Sequence, residues 1–249
     1  MVQSCAFRSP CRASPSLAFG LMLLAGMAAS PAGQTVFNPA TDFSAGLNPG
    51  GAWSYGYTGT PGQFTPFLLA STFGTGVPAW RNTDVWPTDY PVVFYNASGA
   101  PYVYSGTLTI PTGQFGLHPG DSALAQTYAV ARLTLPAGGT FLLDAVFVGL
   151  ESFNGGTTTD VHVLVDGTSV FNGTVSGFGQ TATLINYVFG ASVGSIVDFI
   201  VGNGGNGFNS DTTGLTAAVI AVPEPAACAV WLALGAVLPV VLGRRRVRE

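Results

Sequence analysis

The stretch Asp160–Phe178, "DVHVLVDGTSVFNGTVSGF", decides the fold class. Its apolar and polar residues alternate with the period of a half-buried strand. Asp166-Gly167 and Asn172-Gly173 punctuate it with dipeptides suited to tight hairpin turns, so short strands joined by turns are predicted here. The same period recurs on either side. In "TYAVARLTL", Tyr128, Val130, Arg132 and Thr134 share one face, and Ala129, Ala131, Leu133 and Leu135 share the other. Thr140 to Glu151, "TFLLDAVFVGLE", reads as a long, mostly buried strand. Further strands are expected at "TATLINYVF", "SIVDFIV" and "LTAAVIA". Residues 36 to 90 are less regular and either wrap a sheet edge or carry the first strands. No amphipathic helical run and no fixed-period repeat is present. The expectation is an all-β protein, a jelly-roll-like β-sandwich over residues 33–221, with a barrel as the alternative.

Composition agrees. Of 249 residues only 8% are charged, while 47% are hydrophobic and 12% aromatic, with Gly 34 and Pro 17. That is enough apolar surface for a core and too much for a disordered chain. The eight basic residues are all arginine, and only Arg81 and Arg132 fall between residues 33 and 221. Ten carboxylates lie in the same span, so the body is strongly acidic. An acidic body repels phosphate backbones, which argues against nucleic-acid binding. The cysteines are Cys5, Cys11 and Cys228, so no disulfide framework holds the body.

The two ends differ from the body. Residues 1–32 carry Arg8 and Arg12, then the short apolar run "LAFGLMLLAGMAA", then Ser30-Pro31-Ala32. This is the layout of a signal peptide, with cleavage expected after Ala32 and export through a translocon. Residues 222–249 begin with Val222-Pro223-Glu224-Pro225, which the prolines hold extended. Ala226 to Gly243 follows as an uncharged span, roughly 27 Å long at about 1.5 Å per residue as a helix. That is near the lower limit for a transmembrane helix, and Arg244, Arg245 and Arg246 after it favour the cytoplasmic side. An outer-membrane barrel is disfavoured, because such a helix would hold the chain in the inner membrane.

The order Pro223-Glu224-Pro225, apolar span, Arg244 to Arg246 resembles the PEP-CTERM sorting signal of Gram-negative bacteria. The resemblance covers the C-terminal tail alone. It implies processing by an exosortase-type membrane enzyme after transient inner-membrane anchoring, and delivery to the cell surface or extracellular matrix of an exopolysaccharide-producing host. It implies a destination and no activity. The body is similar, at the level of pattern, to β-sandwich ectodomains that precede such signals, some of them like carbohydrate-binding modules. The likeness rests on "LHPG", Arg132, "PAGGTF", the "VDG" hairpin, Asp198 and Asp211.

Catalytic motifs are weak. "GNGGNG", Gly202 to Gly207, matches a dinucleotide fingerprint in letters, but no helix is expected after it to meet a pyrophosphate. "GASVG", Gly190 to Gly194, matches a nucleophile elbow, but both histidines, His118 and His162, precede Ser192. Two separated histidines without a body cysteine make a poor zinc site, and both read as structural or surface residues. Asp144 and Glu151 lie an odd number of residues apart on one expected strand, so they should face opposite sides rather than form a glycosidase pair.

Two features point to binding. Trp53, Tyr55 and Tyr57 alternate and so share a strand face, while Trp80 and Trp86 sit in a proline-rich region. Aromatic faces beside Asp and Asn grip sugar rings, and the plainer reading is that these rings fill the core. Asn203, Asn206, Asn209 and Asp211 supply oxygens for a calcium ion from a glycine-rich loop, and turn chemistry explains them equally well. No other cofactor is expected. Together these readings describe an exported, non-catalytic surface or matrix protein that binds polysaccharide. The alternatives are a secreted glycan-active enzyme and a purely structural or adhesive protein.

Overall fold

The computed structural model describes residues 34–86, 88–124 and 127–223. The expected signal peptide, the span 226–243, Glu224, Pro225 and Arg244 to Arg246 lie outside the described residues. Among the described residues no helix is long and apolar enough to cross a membrane.

Sixteen strands follow in chain order: β1 (Val36–Phe37), β2 (Trp53–Thr58), β3 (Thr65–Pro66), β4 (Leu69–Gly74), β5 (Val77–Arg81), β6 (Val92–Tyr95), β7 (Tyr102–Tyr104), β8 (Leu108–Ile110), β9 (Phe115–His118), β10 (Tyr128–Thr134), β11 (Gly139–Gly149), β12 (Thr158–Val165), β13 (Thr168–Ser176), β14 (Thr181–Ala191), β15 (Ile196–Val201) and β16 (Thr213–Val222). One sheet runs β14-β11-β16-β9-β6-β5-β4, with β1 also on β16. The other runs β13-β12-β15-β10-β2-β3. Every pairing is antiparallel.

The pairings nest. β12 pairs with β13, β11 with β14, β10 with β15 and β9 with β16. The chain folds back at the β12–β13 hairpin, and each outer pair closes around the one inside it. Successive nested pairs alternate between the sheets, which is how a jelly roll wraps two layers. The main core lies between them. It joins Phe141, Leu143, Ala145 and Phe147 of β11 to Val161 and Val163 of β12 and to Val197, Phe199 and Val201 of β15. Inward residues recur at every second position, the consequence of the strand pleat.

The central turn is where the sequence places it. Asp166 and Gly167 have φ of 48° and 77°, and Val165 pairs with Thr168 across them. Two consecutive positive φ values suit the right-handed twist of the flanking strands. Asn172-Gly173, by contrast, is not a turn. Both residues lie inside β13, opposite His162 and Val161. An unbroken partner strand outweighs the local preference, and Asn172 Oδ1 meets His162 Nδ1 across the ladder at 2.6 Å. "GNGGNG" is the β15–β16 loop and "GASVG" spans the β14–β15 turn, with no helix after either.

A second apolar cluster lies on the outer side of the larger sheet. Val77 and Ala79 of β5 and Val92 and Phe94 of β6 pack there against Leu108 and Ile110 of the β7–β8 hairpin. That hairpin is tied down by Thr109 N–H to Leu150 O at 3.0 Å and Ser152 N–H to Thr107 O at 3.0 Å. It forms one wall of the site described next.

Candidate functional site

A cleft of about 770 Å³ opens between this hairpin, the segment Asp89–Tyr90 with Trp86, the turn Glu151–Asn154 and the loop Phe208–Ser210. Among the described residues seven aromatic side chains line it: Phe73, Trp86, Tyr90, Tyr102, Tyr104, Phe153 and Phe208. Trp86, Tyr90 and Phe208 form a contiguous group, with ring centroids 6.1 Å (Trp86–Tyr90), 6.1 Å (Trp86–Phe208) and 5.7 Å (Tyr90–Phe208) apart. Trp86 is 65% exposed, and Tyr104 and Phe153 are also exposed. A large ring left open beside a cleft is not core filling, and its face is free to stack on a ligand.

The polar groups are fixed by their neighbours. Arg81, itself buried, sends Nη2 to Thr72 O at 3.0 Å and Nη1 to Asp89 Oδ2 at 3.3 Å. Asp89 is thereby held in the wall of the cleft, its Oδ1 buried without a partner among the described residues. Glu151 is only 8% exposed and also lines the cleft. Its backbone is clamped on both sides, N–H to Thr157 Oγ1 at 3.2 Å and carbonyl to Thr157 N–H at 3.2 Å. His118 ends β9 and is 4% exposed. Burial lowers its pKa to about 4, and the nearby Arg81 charge pushes the same way. Neutral His118 donates from Nδ1 to Pro119 O at 2.8 Å, which leaves Nε2 as an acceptor. Its ring lies 4.1 Å from that of Tyr90. Burial, then the Asp89 charge, pushes the Tyr90 phenol up to about 12, so it stays a hydroxyl.

Four of the five aromatic residues singled out in the sequence are elsewhere. Trp53 and Tyr55 are 1% and 0% exposed, and Tyr57 is half-buried on Phe67, centroids 5.6 Å apart. They do share one face of β2, but it is the core face. The reason is register: Trp53, Tyr55 and Tyr57 stand opposite Leu133, Ala131 and Ala129 of β10, and the alanines leave room for rings. Trp80 is 5% exposed in the main core, its Nε1–H donating to Ser44 O at 2.7 Å. Only Trp86 reaches the cleft.

The four calcium candidates are likewise divided. Asn203 is buried and donates to Gly120 O at 3.2 Å. Asn206 and Asp211 meet at the Thr158 hydroxyl, which lies 2.9 Å from Asn206 Nδ2 and 3.0 Å from Asp211 Oδ1. Asn209 faces the cleft instead. Among the described residues, no group of three or more His, Cys, Asp or Glu is placed to hold a metal ion. Asp144 and Glu151 are also apart in role. Asp144 Oδ1 accepts from Asn186 N–H at 2.7 Å beside a β11–β14 bulge, whereas Glu151 lines the cleft.

Asp89, Tyr90 and Phe208 of the cleft lining were not singled out in the sequence, and His118 and Glu151 were named there but set aside, His118 as a structural or surface residue and Glu151 as facing away from Asp144. One signal for Phe208 was present: it is the only ring in a loop otherwise built from Gly, Asn, Ser, Asp and Thr. Arg132 and Asp198, part of the pattern noted above, form a bidentate ion pair of 2.7 and 2.8 Å under Phe64, away from the cleft lining.

No family model matches the chain. No curated protein matches it either. Solved structures similar to it include CBM51 from Clostridium perfringens GH95 in complex with methyl-galactose, at 13% identity and a TM-score of 0.33, covering 67% of this chain and 99% of that one. Another is the CBM51-2 and INT domains of Clostridium perfringens ZmpB, at 14% identity and a TM-score of 0.37, covering 59% of this chain and 30% of that one. A third is the CBM36-1 domain of a multidomain xylanase from the hindgut metagenome of Trinervitermes trinervoides, at 11% identity and a TM-score of 0.31, covering 54% of this chain and 99% of that one. These neighbours are carbohydrate-binding modules. TM-scores this low carry no argument, so the sandwich rests on its own strand pairing and the site on its own geometry.

Proposed function

We propose that this is an exported, non-catalytic surface or matrix protein whose cleft binds a saccharide. The observation that carries the reading is the exposed Trp86 face beside acceptors held rigid by buried partners, Asp89 on Arg81 and His118 Nε2. Sugar rings present C–H faces that stack on aromatics and hydroxyls that donate to fixed acceptors. The volume of about 770 Å³ suits a ligand of one to a few rings. Titration calorimetry of the intact protein against neutral, amino and acidic polysaccharides tests it, with calcium and with chelator. Saturable heat that weakens at least about tenfold in Trp86→Ala supports the reading. Loss of binding in chelator would assign the Asn206–Asp211 region a metal-holding role. No binding by folded protein to any glycan would favour the structural or adhesive alternative.

One observation favours a second reading, glycan hydrolysis: two carboxylates, Asp89 and Glu151, line the same cleft. Asp89 is already engaged by Arg81. Release of reducing ends that disappears in Glu151→Gln would establish the enzyme.

The tail supports sorting through its Pro223-Glu224-Pro225 neck, apolar span and arginines. We propose translocon export, transient inner-membrane anchoring and exosortase-type processing. Mass spectrometry of the exported protein should find peptides ending near Pro225 and none from Trp231 onward. An intact C-terminus on the mature protein would overturn this.

A further inference from the structure

The charges of the body narrow the class of saccharide. The body has two arginines and no lysine, and both arginines are consumed internally. Arg81 is paired with Asp89 at 3.3 Å and lies 3.6 Å from Asp84, and Arg132 is locked onto Asp198. Among the described residues no lysine or arginine lines the cleft. The only charged groups among the described residues that line it are the carboxylates of Asp89 and Glu151; neutral His118, seven rings and uncharged side chains such as Asn154, Asn209 and Ser210 make up the rest. Glu151 is the decisive group. It is more than nine-tenths buried and borders the cleft, and no ion pair engages its carboxylate among the described residues.

A carboxylate that borders a cleft with no counter-charge beside it attracts a ligand cation, most strongly where the walls keep water screening low. The faces of Trp86, Tyr90 and Phe208 add negative quadrupole potential to the same space. Arginine is the usual means of holding carboxylate or sulfate groups, and none is free here. We infer that the cleft selects saccharides bearing free ammonium groups, such as de-N-acetylated hexosamine polymers, over N-acetylated, neutral or uronic-acid glycans. This rests on the cleft being a saccharide site. The ammonium would sit against Glu151 while the sugar face stacks on Trp86.

The test compares β-1,4-linked oligosaccharides of equal length, made of glucosamine, N-acetylglucosamine or glucose, together with an oligogalacturonate. Each is titrated calorimetrically into the intact protein at pH 6. The glucosamine oligomer should bind about tenfold more tightly than its N-acetylated form at low salt, with the gap narrowing as salt rises. Glu151→Gln should reduce that preference several-fold. Asp166→Asn removes the same charge at the β12–β13 turn, outside the cleft lining, and should leave the preference intact.

Equal or tighter binding of the N-acetylated, glucose or galacturonate oligomers would overturn the selectivity while leaving a saccharide site standing. An equal loss of preference in Asp166→Asn would overturn it too, since the attraction would then belong to the whole acidic body. Absence of binding to all four by folded protein would remove the saccharide site itself.

Discussion

Trp53 and Trp86 carry the same side chain into opposite roles. Trp53 is enclosed between the sheets, its ring centroid 6.0 Å from that of Phe199 and its Nε1–H 3.2 Å from Asp42 Oδ2. Trp53→Ala should cost about 3–5 kcal/mol by the transfer and cavity contributions together, read as a lower urea midpoint. Trp86→Ala removes mostly exposed surface and should leave that midpoint nearly unchanged. His118 adds a pH dependence of defined sign. Its folded pKa is about 4, below the ordinary 6.5, so the unfolded chain takes up its proton first as pH falls. The contribution of His118 to stability is complete above pH 6.5 and is lost between there and about pH 4. It amounts to roughly 3 kcal/mol at about 1.36 kcal/mol per pKa unit. His118→Gln should flatten that part of a stability–pH curve measured by urea unfolding. An unchanged slope would mean His118 is not held neutral.

At the scale of elements, the β15–β16 loop links the sandwich to the cleft, because it carries Phe208 and Asn209. It is pinned at both ends to β12. Gly204 N–H donates to Asp160 Oδ1 at 2.8 Å, and Asp211 Oδ1 accepts from Thr158 N–H at 2.8 Å. Asp160 is braced in turn by His162 Nε2 at 2.8 Å. Burial alone would raise the Asp160 pKa, yet its bonds from His162 and Gly204 hold it below the usual carboxylate value. Gly204 has φ of 62°, and an added Cβ would collide with Thr158 O. Gly204→Ala should therefore lower the melting temperature and weaken saccharide binding together, the second through Phe208. Binding unchanged in a destabilised Gly204→Ala protein would mean the loop does not position the site.

The strands around "DVHVLVDGTSVFNGTVSGF" were legible because pleat period and turn chemistry are local properties, recorded residue by residue. The β10 face assignment held for the same reason: Ala129, Ala131 and Leu133 are in the main core and Val130 is outside it. Which face of β2 turns inward was not legible. Alternation separates two faces, and only the register against Ala129 and Ala131 selects one. The Asn172-Gly173 error has a similar cause, a local turn preference overridden by a partner strand. The cleft was almost invisible because its walls come from segments more than a hundred residues apart, Phe73 to Thr212. Nothing near His118 in sequence announces Tyr90 or Phe208.

For the molecule as a whole, charge and architecture act together. The nested sandwich sets a rigid frame, and both body arginines are spent inside it, so the surface is left acidic. That acidity predicts a salt response: binding of an ammonium-bearing glycan should weaken as ionic strength rises, whereas stacking of a neutral glycan should not. The central claim is that the cleft around Trp86 binds a saccharide. The most direct measurement is calorimetric titration of the intact protein and of Trp86→Ala with a glucosamine oligomer at pH 6, after matched urea midpoints show both are folded. The account predicts saturable binding by the wild type and at least about tenfold weaker binding by the variant. Equal binding by the two proteins would contradict it, as would no binding by the folded wild type to this oligomer or to the N-acetylglucosamine, glucose and galacturonate ones.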